Sequence, residues 1–117
     1  MRPLRISARK VVCYQSLDLD VRELRNVVII GENGAGKSLL TDLVRVGLFD
    51  VGRLGPRALA GMIGRWGDTA SVELDFEHGG RVYRVTRTRR RTAKTSSRTD
   101  VVQAFDGSTW APVDLDV

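Results

Sequence analysis

Between Ser71 and Glu77 the chain alternates without a fault, with Val72, Leu74 and Phe76 apolar and Glu73, Asp75 and Glu77 acidic. This is the period-two pattern of a strand with one face on a core and the other in solvent. His78-Gly79-Gly80 supplies a turn, and Arg81 to Thr88 returns with Tyr83 and Val85 as core residues. Ser16 to Val21 alternates in the same way and Pro3 to Ala8 more weakly, so these two segments are expected to form a hairpin. Val101 to Phe105, the turn Asp106-Gly107, and Trp110 to Val113 predict a closing hairpin. Helical spacing appears from Lys37 to about Leu48, where Leu39, Leu40, Leu43, Val44 and Val46 to Leu48 form an apolar face. Gly52, Gly55 and Pro56 break it, and residues 56–64 hold at most a short helix weakened by Gly61 and Gly64. Thr92 to Thr99 is polar and basic and reads as a loop. The pattern is that of an α/β domain with antiparallel hairpins in a mixed sheet.

One join carries nameable chemistry. Val27 to Ile30 is a short β-branched run that reads as a buried strand, and it feeds directly into Gly31-x-x-x-x-Gly36-Lys37-Ser38 and then the helix. That strand–loop–helix context is what a phosphate-binding loop requires. Gly31, Gly34 and Gly36 let the backbone adopt positive φ and approach a phosphate with no Cβ in the way, so that successive N–H groups point inward as an anion nest. The helix N-terminus adds partial positive charge. Lys37 is placed to reach the β- and γ-phosphates of ATP, and the Ser38 hydroxyl to ligate Mg²⁺.

At 117 residues the chain is one domain at most, large enough for a core but small for a complete nucleotide hydrolase. No apolar run approaches a membrane span or the core of a signal peptide, so the expected location is cytoplasmic and no membrane partner is expected. The single Cys13, beside Val11 and Val12, reads as a small core residue, and the lone His78 as a solvated turn residue.

The net charge of +5 is local. Arg81, Arg84, Arg87, Arg89, Arg90, Arg91, Lys94 and Arg98 fall in a stretch with no carboxylate, and without them the remainder stands at −3. Arg81 and Arg84 are expected to pair across the hairpin with Glu73, Asp75 and Glu77, which read as surface acids. Arg87, Arg89, Arg90, Arg91, Lys94 and Arg98 are candidate DNA contacts, since clustered cations neutralise phosphates and release counterions.

Hydrolysis also needs a buried strand that ends in a metal-binding carboxylate, usually followed by a water-polarising Glu. No segment after residue 38 has that form. The chain by itself therefore holds half a catalytic site and is not expected to turn over ATP at an appreciable rate.

Taken in order, Met1-Arg2-Pro3-Leu4-Arg5, Tyr14, Gly31-Glu32-Asn33-Gly34-Ala35-Gly36-Lys37-Ser38, and Ala70 to Val85 followed by arginines closely resemble the N-terminal head segment of SbcC-type ATPases. These are SMC-superfamily proteins of DNA double-strand-break repair. The resemblance covers nearly the whole chain. It implies a P-loop ABC/SMC-type head lobe over residues 1–117, with a coiled coil and the C-terminal half of the head beyond it. It also implies ATP and Mg²⁺ as cofactors, a head-to-head dimer enclosing ATP, an SbcD-type nuclease partner and double-stranded DNA. Carried over by position, the nucleotide-contacting residues are Gly31, Asn33, Gly34, Ala35, Gly36, Lys37, Ser38 and Leu39. Two features depart from the family: Val11-Val12-Cys13-Tyr14 stands where an aromatic-Arg-Ser-Tyr stretch is usual, and Leu39 replaces a small polar residue. Two other readings share these residues. One is a non-enzymatic DNA-binding or assembly module, and the other is the head of a different SMC-like ATPase, of RecF or anti-phage type.

Overall fold

A computed structural model describes residues 1–12, 14–23, 30, 37–52, 55–64 and 66–113. Along the chain come β1 (Arg2–Val11), β2 (Tyr14–Asp20), α1 (Lys37–Phe49) and the two-residue strands β3 (Val51–Gly52) and β4 (Gly55–Pro56). A 3₁₀ turn at Ala60–Met62 follows, then β5 (Thr69–His78), β6 (Arg81–Arg91), β7 (Ser96–Phe105) and β8 (Trp110–Pro112). Six of the strands form one sheet in the order β2-β1-β5-β6-β7-β8, with every neighbouring pair antiparallel. The expected mixed sheet is thus wholly antiparallel among the described residues. The central strand anticipated at Val27 to Ile30 lies outside them except for Ile30, and Cys13 also lies outside.

The hairpins form where alternation and turn chemistry agree. Gly79 and Gly80 take φ of 60° and 79° between the paired residues His78 and Arg81, the double positive φ that a tight hairpin turn requires. The loop anticipated over Thr92 to Thr99 is shorter: Ser96 to Thr99 continue β7 opposite Thr88 to Arg91. Only the turn around Thr92 remains, closed by its N–H donating to the Thr95 carbonyl at 2.8 Å. At residues 56–64 the helical turn is the single 3₁₀ turn.

Helix α1 lies on one face of the sheet. Leu43 and Val46 are fully buried against Ile6 and Ala8 of β1 and Ala70, Val72 and Leu74 of β5, with Leu59 closing the cluster. Gly47 makes that approach possible, because a Cβ there would stand 3.0 Å from the Leu74 Cβ. The opposite face is polar yet ordered. Arg5 holds Asp18 in a bidentate pair at 3.0 Å and 3.0 Å and reaches Glu73 at 3.3 Å. Arg84 grips Asp75 at 2.7 Å and 3.0 Å while its guanidinium lies 4.1 Å from the Trp110 ring centroid. The pairing expected for Arg84 is present, but Asp75 is not a surface acid: it is completely buried beneath Arg5, Arg22 and Arg84. Arg81 lies instead over the Tyr83 ring.

The far end of α1 is tied down by side chains from the sheet. The helix carries no basic residue in its last turn. Arg87 of β6 supplies one, donating to the carbonyls of Gly47 at 2.9 Å and Leu48 at 2.8 Å, where the helix dipole is negative. Asp50 follows in the left-handed region at φ 52°, a conformation that Asp tolerates better than most residues. Its carboxylate accepts from the Leu59 N–H at 2.9 Å and from Arg89 at 3.0 Å. Arg89 also donates to Asp100 of β7 at 2.6 Å. Burial by itself would raise the Asp100 carboxyl, but the hydrogen bond from Arg89 and the charges of Arg87 and Arg89 hold it below the usual carboxylate range.

Two outcomes follow from these contacts. Arg89→Met leaves Asp50 and Asp100 facing each other without their shared cation, and is expected to cost about 3–5 kcal/mol of stability in denaturant unfolding. Asp106 accepts from the N–H groups of Thr109 at 2.8 Å and Ser108 at 2.9 Å, which lowers its pKa from 3.8 to about 2. A depressed carboxyl stabilises the fold fully above pH 3.8, and that contribution disappears as pH falls through about 2. A carboxyl NMR titration should therefore give Asp106 a midpoint near 2; a midpoint at 3.8 would mean that the turn is not formed.

Candidate functional site

Two regions carry the candidate chemistry, at opposite ends of α1. At its start, Lys37 and Ser38 occupy the first turn, and no acidic residue stands there to compete with an anion. The free N–H groups of such a turn suit a phosphate. Gly31, Asn33, Gly34, Ala35 and Gly36 lie outside the described residues, as do the side chains of Lys37 and Ser38. Leu39 is half-buried and packs against the core from the helix. Among the described residues no group of three or more His, Cys, Asp or Glu side chains is arranged to hold a metal.

The β1–β2 tip, where the sequence departs from the SbcC pattern, is held in an unusual conformation. Lys10 and Val12 adopt φ of 58° and 43°, uncommon for side chains of this kind and strained for β-branched valine. The Val12 N–H donates to the Met62 carbonyl at 3.2 Å, and the Trp66 indole donates to the Val12 carbonyl at 3.0 Å. Arg9 and Lys10 are exposed, whereas Tyr14 packs on the core.

At the other end of α1 the basic stretch divides. Arg87 is partly buried against the helix carbonyls and Asp100, and Arg89 is 4% exposed between Asp50 and Asp100. Both are committed inside the fold. Arg90, Arg91, Lys94 and Arg98 are exposed on the β6–β7 hairpin, with Arg98 reaching Asp100 at 3.3 Å. Strand phase alone does not set the division. Arg87 and Arg89 share the helix-facing side of β6 with Tyr83 and Val85, but Arg91 has the same phase and Arg98 stands opposite Arg89, and both are exposed. The split depends on which of them meets α1 and Asp50.

This end also contains a residue that the linear charge pattern does not reveal. Arg57, exposed and at φ 57°, follows β4 and meets the hairpin across a cavity of about 420 Å³. The cavity is shared by Arg57, Arg89, Arg90, Arg91 and Arg98. A single arginine between Pro56 and Ala58 offers no local sign of such a neighbourhood.

Comparison with known proteins places the chain in a family. A model described as an AAA domain matches residues 5–108. The chain is 40% identical over 103 residues to the SbcC component of the SbcCD nuclease of Deinococcus radiodurans, covering 86% of this chain and 11% of that protein. It is 35% identical over 81 residues to the DNA double-strand break repair Rad50 ATPase of Thermoplasma acidophilum, and 42% identical over 81 residues to that of Thermoplasma volcanium. Each of these matches covers 69% of this chain and 9% of the relative. The chain thus spans about a tenth of the length of the curated relatives it matches. The antiparallel sheet with one helix on its face is compatible with an AAA-type ATPase lobe, and no described helix is long and apolar enough to cross a membrane. With the family model matching most of its length, the chain belongs to the AAA domain family, as an N-terminal head segment of the SbcC type in the SMC superfamily.

Proposed function

We propose that this segment is the nucleotide-binding lobe of an SbcC-like ATPase that couples Mg-ATP binding and hydrolysis to the processing of DNA double-strand breaks. The observation that carries this reading is the join between the Gly31-x-x-x-x-Gly36-Lys37-Ser38 pattern and a helix that begins at Lys37. The backbone N–H groups of the loop and first turn would take the phosphates, Lys37 would neutralise the β- and γ-oxygens, and Ser38 would offer its hydroxyl to Mg²⁺. When bound, Mg²⁺ supplies charge neutralisation across the phosphates. Gly31, Asn33, Gly34, Ala35 and Leu39 complete the nucleotide contacts by position in the motif.

A metal carboxylate and a residue to orient water are needed as well. In this reading they come from the C-terminal half of the head, and a second head closes over the nucleotide. The nuclease named with the Deinococcus relative supports an SbcD-type partner, and double-strand break repair in the names of the Thermoplasma relatives supports DNA as the substrate.

Arg90, Arg91, Lys94 and Arg98 favour a contact between the β6–β7 hairpin and double-stranded DNA, since all are exposed on one projection of the sheet. Arg87 and Arg89 act behind them, holding the hairpin to α1. A DNA-binding module without ATPase activity would use the same residues but ignore nucleotide.

Lys37→Ala is expected to abolish Mg-ATP binding measured by calorimetry, and unchanged affinity would remove the central claim. DNA affinity should fall steeply with salt. Replacing Arg90 and Lys94 together by Gln should flatten the slope of log K against log salt by about 1–2. An unchanged slope would take the hairpin out of the DNA interface.

A further inference from the structure

The cavity beyond the C-terminal end of α1 differs from an ordinary basic surface. It is concave, and its walls come from separate parts of the chain: Arg57 and the 3₁₀ turn on one side, the β6–β7 hairpin on the other. Five arginines line it, against one carboxylate, Asp50. That carboxylate is already taken up by Arg89 and the Leu59 N–H, so it leaves little negative charge to oppose an incoming anion.

The arginines differ in what they have left to offer. Arg89 is engaged with Asp50 and Asp100, so its charge is spent inside the fold and it forms a fixed, buried floor. Arg98 touches Asp100 through Nη2 at 3.3 Å. Among the described residues, Arg57, Arg90 and Arg91 have no carboxylate partner. Like charges lining one cavity repel one another, and an anion between them relieves that repulsion. A carboxylate has two oxygens, which one arginine fork satisfies. A phosphate has more oxygens than one fork can use and suits several arginines at once.

The remaining lining sharpens the choice. Ser96 and Ser97 add hydroxyl groups at the start of β7, and Ala60 and Ile63 give one apolar wall. Hydroxyls beside arginines suit phosphate oxygens, and an apolar wall suits the carbon face of a sugar.

We propose that this cavity, at the opposite end of α1 from Lys37, is a phosphate site that takes one phosphate group with its attached sugar between Arg57, Arg91 and Arg98. The site deepens the DNA reading of the hairpin by adding Arg57, Ser96 and Ser97 and by making one contact a pocket instead of a diffuse field. Its ligand is a sugar phosphate, supplied either by a nucleic-acid strand or by a free nucleotide.

The test uses the full chain, with inorganic phosphate and AMP followed by arginine side-chain NMR and a short labelled DNA duplex followed by fluorescence anisotropy. Arg57→Asn removes the charge while keeping a residue that tolerates φ 57°, and Arg91→Gln acts on the opposite wall. Each variant is expected to weaken phosphate and AMP binding by about tenfold and to lower the DNA salt slope by about 1. Lys94→Gln, on the hairpin but outside the cavity, should lower DNA affinity while leaving phosphate binding unchanged. Phosphate-induced shifts of the Arg91 and Arg98 side-chain signals that survive Arg57→Asn, or that Lys94→Gln weakens equally, overturn the pocket while leaving DNA binding by the hairpin and phosphate binding at the start of α1 intact. Absence of DNA binding, with AMP bound and then lost in Arg57→Asn, upholds the pocket with a free nucleotide as its source and removes the DNA reading.

Discussion

A single buried guanidinium holds the three parts of this fold in one arrangement. Arg89 on β6 bridges Asp50, the residue after α1, to Asp100 on β7, while Asp50 also receives the N–H of Leu59. Helix, 3₁₀ segment and hairpin therefore meet at one charged centre. Such a group is costly to desolvate and stable only when its partners are complete, so the centre favours one docking of α1 over alternatives that are merely apolar. Arg87 reinforces it by supplying the positive charge that the last turn of the helix lacks. The orientation of α1, and with it the position of Lys37 at the helix start, is set from the far end.

The opposite face of the sheet solves a different problem. Strands β1, β5 and β6 present arginines and acids there in place of a second apolar layer. Their registers set Arg5 and Arg84 on either side of Asp75, so charges meet across strands as complementary neighbours. Trp110 of β8 then lies over Arg84 and covers the ion-pair network. Among the described residues one helix covers the apolar face, while the ionic face is held by its own cross-strand pairs.

Much of the architecture was legible in the linear pattern. Alternation at Ser71 to Glu77 and Arg81 to Thr88, and the double glycine between them, corresponds to β5, β6 and their turn; helical spacing from Lys37 matches α1. The length of the β6–β7 hairpin was not legible. Ser96 to Thr99 have loop-like composition but are drawn into β7 because β6 runs on to Arg91 and offers unpaired backbone groups. Likewise the alternating acids of β5 look equivalent, yet Asp75 alone is fully buried, because three arginines from three other segments converge on it.

Period, turn residues and the glycine-lysine-serine spacing act over a few neighbouring positions, so the amino-acid order determined where strands, helix and the phosphate-loop motif lie, and those features are readable without any knowledge of packing. Which arginines turn inward to brace α1, and which stay exposed, depended on strand register and helix docking. Arg57 makes the same point. It joins the hairpin arginines only because β3 and β4 reverse the chain after α1, and no local pattern encodes that distance. Charge composition is a local property, whereas a charged site is a property of which strands become neighbours.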